Sequence, residues 1–249
     1  IISLILSTII LITGTLIWTF WPSSINVSLI DPSQKIQKVD SVTPFEFTQN
    51  IVSDSTLNKL IPFDHITFEP NIEGKYRWID NDKLQIFPEE LLLPATRYQM
   101  IIDPEYFNDQ GFKWKGGTKY SFETTLLGLS KPIDYKVLSS NADAKIPFIE
   151  SLALNISFNS SVNPDSLNKY LTISANDQKD IEYEITEIAP TDQFKIIIKE
   201  LTQSDHLQTL AIYMNKNLTP IRGHLSMLDD IKEIVEINNL IDLVIKSVR

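Results

Sequence analysis

The chain contains no cysteine. That excludes disulfides, thiolate metal ligands and a cysteine nucleophile from these residues. Glycine is nearly as scarce, with 7 residues in 249, so phosphate-cradling glycine loops have little to be built from. No run of basic residues occurs, and the formal net charge is −10. A nucleic-acid partner is therefore not expected, because phosphate binding needs clustered Lys and Arg. The acidic balance reads as plain solubility.

Catalytic patterns are missing as well. His65, His206 and His224 have no partner at the i+2, i+3 or i+4 spacing of zinc or hydrolase signatures. Asp80-Asn81-Asp82 resembles a calcium loop only superficially, since the glycine and distant glutamate of an EF-hand do not follow. Glu89-Glu90 and Asp229-Asp230 are adjacent carboxylates, and neighbours in a strand point to opposite faces, so adjacency builds no acid/base pair. Serines are plentiful, yet neither G-x-S-x-G nor S-x-x-K appears. The expectation is a chain without catalytic residues, metal ligands, cofactor or small-molecule substrate.

What is present is sheet. Hydrophobic residues make up 43% and charged residues 22%, which is a globular rather than a disordered balance. The stretch from Ile66 to Thr125 alternates short apolar pieces with turn residues. The pieces are Ile66–Phe68, Tyr76–Ile79, Lys83–Phe87, Tyr98–Ile102 and Tyr120–Glu123, separated by Glu69-Pro70, Gly74, Asp80-Asn81-Asp82, Pro88, Pro94 and Gly116-Gly117. Such spacing predicts an antiparallel sandwich. Tyr76, Trp78, Leu84, Ile86, Tyr98 and Met100 fall at period 2, so each can face one core. Asp80-Asn81-Asp82 predicts a hairpin turn joining Tyr76–Ile79 to Lys83–Phe87. Tyr76, Trp78, Tyr98, Tyr120 and Phe122 could form a carbohydrate platform, but their alternation assigns them to core packing.

The order I-x-F-x-P, G-K-Y-R-W, L-x-I-x-P, L-P-A-T-x-Y, Y-S-F-x-T resembles the N-terminal Ig-like modules of bacterial alpha-2-macroglobulin-type proteins. The residues that carry it are Ile66, Phe68, Pro70, Gly74, Trp78, Leu84, Pro88, Leu93, Pro94, Thr96, Tyr98, Phe122 and Thr124. Asn163 to Leu171, NPDSLNKYL, resembles the equivalent element in a second module. Related modules also occur in surface-layer and adhesin-like proteins.

Residues Ile1 to Trp21 form an uncharged apolar run, and about 20 such residues at 1.5 Å rise span a bilayer core of roughly 30 Å. Trp18, Phe20 and Trp21 suit the headgroup boundary, and Pro22-Ser23-Ser24 stops a helix. Without an A-x-A-like site after Trp21, this predicts an uncleaved signal anchor rather than a cleaved leader. The first residue is Ile, not Met, so a longer natural chain is expected, with its orienting basic flank out of view. Residues 22–43 read as a linker, with one strand at Ile25–Ile30.

After a connector at Leu126–Pro132, strands are expected at Tyr135–Leu138, Leu152–Phe158, Tyr170–Ile173, Ile181–Ile185, Phe194–Ile198 and Leu210–Met214. The second half echoes the first. Asp54-Ser55-Thr56-Leu57-Asn58-Lys59 corresponds to Asp165-Ser166-Leu167-Asn168-Lys169. Each follows a strand end (Phe47 to Ile51, Phe158 to Val162) and precedes an apolar piece. Repetition of this kind implies two copies of one fold, with Asp54 and Asp165 expected to cap the turns. In the tail, Ile231, Ile234 and Val235 suggest a helix and Leu240–Ile245 a strand.

The expected architecture is therefore all-β: two tandem Ig-like antiparallel β-sandwich modules preceded by one transmembrane helix. The boundaries are 1–21 anchor, 22–43 linker, 44–126 first module, 127–226 second module and 227–249 the start of a further, truncated module. The resemblance implies a non-catalytic scaffold and membrane tether of a bacterial protease trap. It would be single-pass in the inner membrane with its modules on the periplasmic side, and proteases would be targets of the full-length protein. The family's bait segment and Cys–Gln thioester would lie beyond Arg249. The alternative is a structural or adhesive surface protein using Ig-like modules as spacers; an envelope enzyme with a downstream catalytic domain is the third class.

Overall fold

The structure, a computed structural model, describes residues 25–31, 42–61, 64–141, 148–175, 181–202 and 208–237. The apolar run Ile1–Trp21, His206 and the Leu240–Ile245 piece lie outside the described residues. Among the described residues no helix is long and apolar enough to cross a membrane.

The protein is all-β, with sixteen strands and two short α-helices among the described residues. In chain order the strands begin with β1 (Ile25–Val27), β2 (Phe45–Glu46), β3 (Leu60–Ile61), β4 (Ile66–Glu69), β5 (Gly74–Asp80), β6 (Lys83–Pro88) and β7 (Arg97–Ile102). Helix α1 (Pro104–Asp109) precedes β8 (Phe112–Trp114) and β9 (Lys119–Glu123). Then come β10 (Asp134–Asn141), β11 (Phe148–Val162), α2 (Pro164–Tyr170), β12 (Leu171–Ala175), β13 (Tyr183–Ile185), β14 (Thr191–Thr202), β15 (Gln208–Met214) and β16 (Ile231–Ile237). The sheets read β2-β6-β5-β3, β4-β7-β9, β10-β11-β14-β13 and β12-β15-β16, plus a parallel pair β1-β8.

Two compact units are present. One gathers residues 25–31, Pro44–Phe87 and Met100–Tyr120; the other takes Pro88–Gln99 and Ser121 onward. The core of the first is aromatic. Trp78 is fully buried, its ring 5.4 Å from that of Phe47. Phe47 in turn meets Phe107 at 5.6 Å, and Phe107 meets Trp114 at 4.7 Å. Aromatic rings bury roughly 150–250 Å² each, so this chain dominates the unit's hydrophobic stabilisation. The hairpin of β5 and β6 forms where Asp80-Asn81-Asp82 places it. Asn81 does more than turn the chain. Its Nδ2 donates to Val52 O (2.8 Å) and Asp54 Oδ1 (2.9 Å), and its carbonyl accepts from Ile51 N at 2.7 Å.

The second unit's core is mostly aliphatic, drawn from the large apolar residues that recur at period 2 along its long strands. Leu152, Leu154 and Ile156 of β11 are buried and pair in register with Ile198, Ile196 and Phe194 of β14. Leu171, Ile173 and Ala175 of β12 and Leu210, Ile212 and Met214 of β15 supply the facing layer, closed by Val235 and Ile237 of β16. The connector before β10 is clamped: Leu129 bridges Phe158, and Asn159 Nδ2 donates to Leu126 O at 2.8 Å.

The internal echo is carried into three dimensions. Phe47 and Phe158, matched in sequence, are both buried, and each forms an antiparallel bridge to an upstream leucine, Leu29 and Leu129. The capping expectation is corrected. Ser53, not Asp54, holds the N-cap of the 3-10 turn Asp54–Thr56, and makes no side-chain cap bond. Asn163, not Asp165, caps α2, its Oδ1 accepting from Asp165 N at 2.8 Å. Pro164 explains the second shift: proline favours the first helical position, which makes the preceding residue the cap. A second correction concerns the tail, where the helix expected around Ile231, Ile234 and Val235 is strand β16, antiparallel to β15. Its run of Ile and Val suits a pleated strand better than a helix.

Candidate functional site

The sequence-selected residues do not converge on one place. His65 lies beside α1, its Nδ1 3.3 Å from Asp103 Oδ2 and its ring stacked on Tyr106 at 4.2 Å. His224 sits in a loop, where its backbone N–H donates to Ala95 O at 3.0 Å. Asp80 and Asp82 flank the hairpin turn. Among the described residues no group of three or more His, Asp or Glu side chains could hold a metal ion. Of the five aromatics weighed as a carbohydrate platform, Trp78, Tyr98 and Phe122 are buried and Tyr76 and Tyr120 half-buried. They serve packing.

Two polar knots organise loops in the second unit. In the first, Thr124 is fully buried. Its Oγ1 donates to Leu93 O at 2.6 Å and accepts from Thr96 N at 3.0 Å. Tyr98 OH accepts from Leu93 N at 3.0 Å, and burial raises its pKa, partly offset by that bond. Ala95, at φ 45°, turns its carbonyl toward His224 N (3.0 Å) and Leu225 N (2.8 Å). The motif L-P-A-T-x-Y is thus a loop staple. Tyr98→Phe is expected to cost about 1 kcal/mol by stranding the Leu93 donor, read as a lower urea midpoint at unchanged slope.

The second knot fixes the loop between β15 and β16. Asp230 accepts from Lys216 N and Tyr213 OH, both at 2.8 Å. The Lys216 bond first, then the Tyr213 bond, holds the Asp230 carboxyl below its ordinary value, while the same hydrogen bond raises Tyr213. A carboxyl with a lowered folded pKa contributes stability above its unfolded value, about pH 4. That contribution is lost as pH falls through the lower folded value. Asp230→Asn is therefore expected to flatten the acid limb below about pH 4 in melting temperature against pH. An acid limb unchanged from the parent would count against this knot.

An open groove of about 450 Å³ lies in the second unit, between the start of α2 and β13. Asn163, Asp165, Tyr183, Ile185, Glu187 and Ile188 line it. Two of its polar side chains, Glu187 and Tyr183, are committed to structure. Glu187 Oε2 accepts from Lys195 N (3.0 Å), its Oε1 accepts from Thr186 Oγ1 (2.9 Å), and Tyr183 OH donates to Leu171 O (2.9 Å).

No protein-family model matches the chain, and no curated protein matches it. The functional reading therefore rests on strand order and on the residues themselves.

Sequence reasoning missed α1 and β8, which lie in the stretch between Ile102 and Gly116 where it assigns no element. A signal was there. Asp103 accepts from Glu105 N at 2.9 Å as N-cap, and Pro104 occupies the first helical turn, the Asp-Pro-Glu opening expected of a helix start.

Proposed function

We propose that the chain is a non-catalytic scaffold of two Ig-like sandwiches, held at a bacterial cell envelope by its apolar N-terminal run. In the resemblance's terms it is the base of an alpha-2-macroglobulin-like protease trap. The observation that carries the reading is strand order. Lettering β10 to β16 as A to G gives A-B-E-D on one sheet and C-F-G on the other. That is the order of a constant-type Ig sandwich.

The same letters apply upstream. If β2 is B, then β6, β5, β4, β7 and β9 become E, D, C, F and G. They sit as B-E-D and C-F-G, with Leu29 supplying the A–B bridge to Phe47. Tyr98 adds support: it lies near the start of strand F and bonds the backbone five residues upstream, the arrangement of a tyrosine corner. Sandwiches of this kind are spacers and docking bodies. Chemistry on them has to be grafted as a site, and among the described candidates Asp80-Asn81-Asp82 forms a turn while Trp78, Tyr98 and Phe122 are packed in the core.

The tether is testable in cells. The full chain made in a bacterium is expected to stay in the carbonate-washed membrane pellet and to be digested by protease added to spheroplasts. Release by carbonate would overturn the tether. Protection in spheroplasts, lost on lysis, would overturn the extracytoplasmic side.

A further inference from the structure

Strand β16 is the outer edge of its sheet, paired only with β15 among the described residues. Its sequence is Ile231-Lys232-Glu233-Ile234-Val235-Glu236-Ile237. Val235 and Ile237 face the core, whereas Lys232, Ile234 and Glu236 lie on the opposite face, with Ile234 70% exposed. A seven-residue edge with no outer neighbour among the described residues is a template for another strand, and this one bears charges of opposite sign placed symmetrically about an exposed isoleucine.

We infer that β16 pairs with β16 of a second copy of this chain, antiparallel about a two-fold axis through Ile234, joining two three-stranded sheets into one of six. In that register Ile234 meets its own copy, each Lys232 faces the Glu236 of the second copy, and Ile231 faces Ile237. The arrangement is isologous, so every favourable pair occurs twice. Cross-strand pairs of opposite charge and of β-branched side chains stabilise, and like charges directly opposite destabilise.

Charge also selects the register. A two-residue shift one way sets Glu233 against Glu233 and Asp230 against Glu236, which repel; the shift the other way sets Val235 against Val235 and loses both Lys232–Glu236 pairs. Neither charge is held in an ion pair among the described residues: Lys232 lies opposite Tyr213, its Nζ 5.8 Å from that ring's centroid, and Glu236 lies opposite Thr209 on β15. The corresponding edge β9 differs: Arg97 Nη2 donates to its Glu123 Oε1 at 2.6 Å. One group opposes association. Glu233, exposed at the core-side rim, would lie diagonally across the axis from its own copy.

Because the chain has no cysteine, the test is unambiguous. The full chain in detergent micelles is examined by light scattering, and Ile234→Cys and Ala211→Cys variants are oxidised. Expected are a concentration-dependent dimer and a disulfide dimer from Ile234→Cys but not from Ala211→Cys, one strand further from the axis. Lys232→Glu and Glu236→Lys should each weaken association at least about tenfold, counting two pairs per dimer. The double variant should restore it, and Glu233→Gln should tighten it. A monomer across the accessible range, equal cross-linking at both cysteine positions, or no rescue by the double variant would overturn the pairing.

Discussion

Trp78→Asp is expected to abolish cooperative unfolding of the first unit. The indole is fully buried and packs on Phe47, which continues through Phe107 to Trp114. Replacing it removes a side chain whose truncation alone typically costs about 3–5 kcal/mol. It also places a carboxylate in an apolar interior, where a charge is costly unless paired. The sum approaches the whole stability of an ordinary domain, roughly 5–15 kcal/mol. Calorimetry of the parent and the variant checks it. A retained cooperative transition for the first unit would mean that Trp78 does not face the core. Ile79→Asp, at a neighbouring exposed position, is the matched control and should leave the transition in place.

Gly223→Ala is expected to be the most damaging glycine substitution. Gly223 adopts φ +108°, and a Cβ there would be buried in Pro94 O and lie 2.9 Å from Ala95 O. Those atoms are backbone, and the Ala95 carbonyl is already engaged by His224 N and Leu225 N. Strain and overpacking therefore add, at about 3 kcal/mol or more. That would lower the melting temperature by roughly 10 °C if the second unit melts as one transition. Two other glycines separate the causes. Gly111 has φ +85° and open space, so Gly111→Ala should show strain alone, about 1–2 kcal/mol. Gly128 has neither feature, and Gly128→Ala should be close to neutral, within about 0.5 kcal/mol. Equal effects at all three positions would refute the assignment.

The strands legible in the sequence were those with an unambiguous period. In LALNISF the large apolar residues at 152, 154, 156 and 158 are all buried and share one face by the period of 2, although the small Ala153 and Ser157 between them are buried too. The hairpin at Asn81 was legible because a polar turn separated two alternating runs. Edges of elements were not. β14 runs Thr191–Thr202, well past the apolar centre at Phe194–Ile198, because the ladder to β11 continues through polar residues such as Lys199 and Thr202. The tail misled because Ile231, Ile234 and Val235 fall at spacings of three and one, which a helix also presents. Pairing with β15, a tertiary contact, decided it. The caps were misplaced by one or two residues because the cap is the residue with non-helical backbone before the first turn, not the nearest carboxylate; at α2 Pro164 fixes that first turn.

No spacing in the sequence pointed to the knot around Thr124. Its partners Leu93 and Thr96 lie about thirty residues upstream and meet it only through the fold. The same holds for the place of β16 at the edge of its sheet among the described residues, since a strand's neighbours are not written in its own alternation. What the sequence did carry was repetition, and the paired bridges of Phe47 and Phe158 are its structural counterpart.

The duplicated strand order is most directly tested by backbone amide NOEs in the perdeuterated full chain in detergent. Expected are cross-strand contacts between β2 and β6 around Phe45 and Leu84, and between β11 and β14 around Ile156 and Phe194. Contacts joining β2 to β3, or β11 to β12, in a simple meander would contradict it.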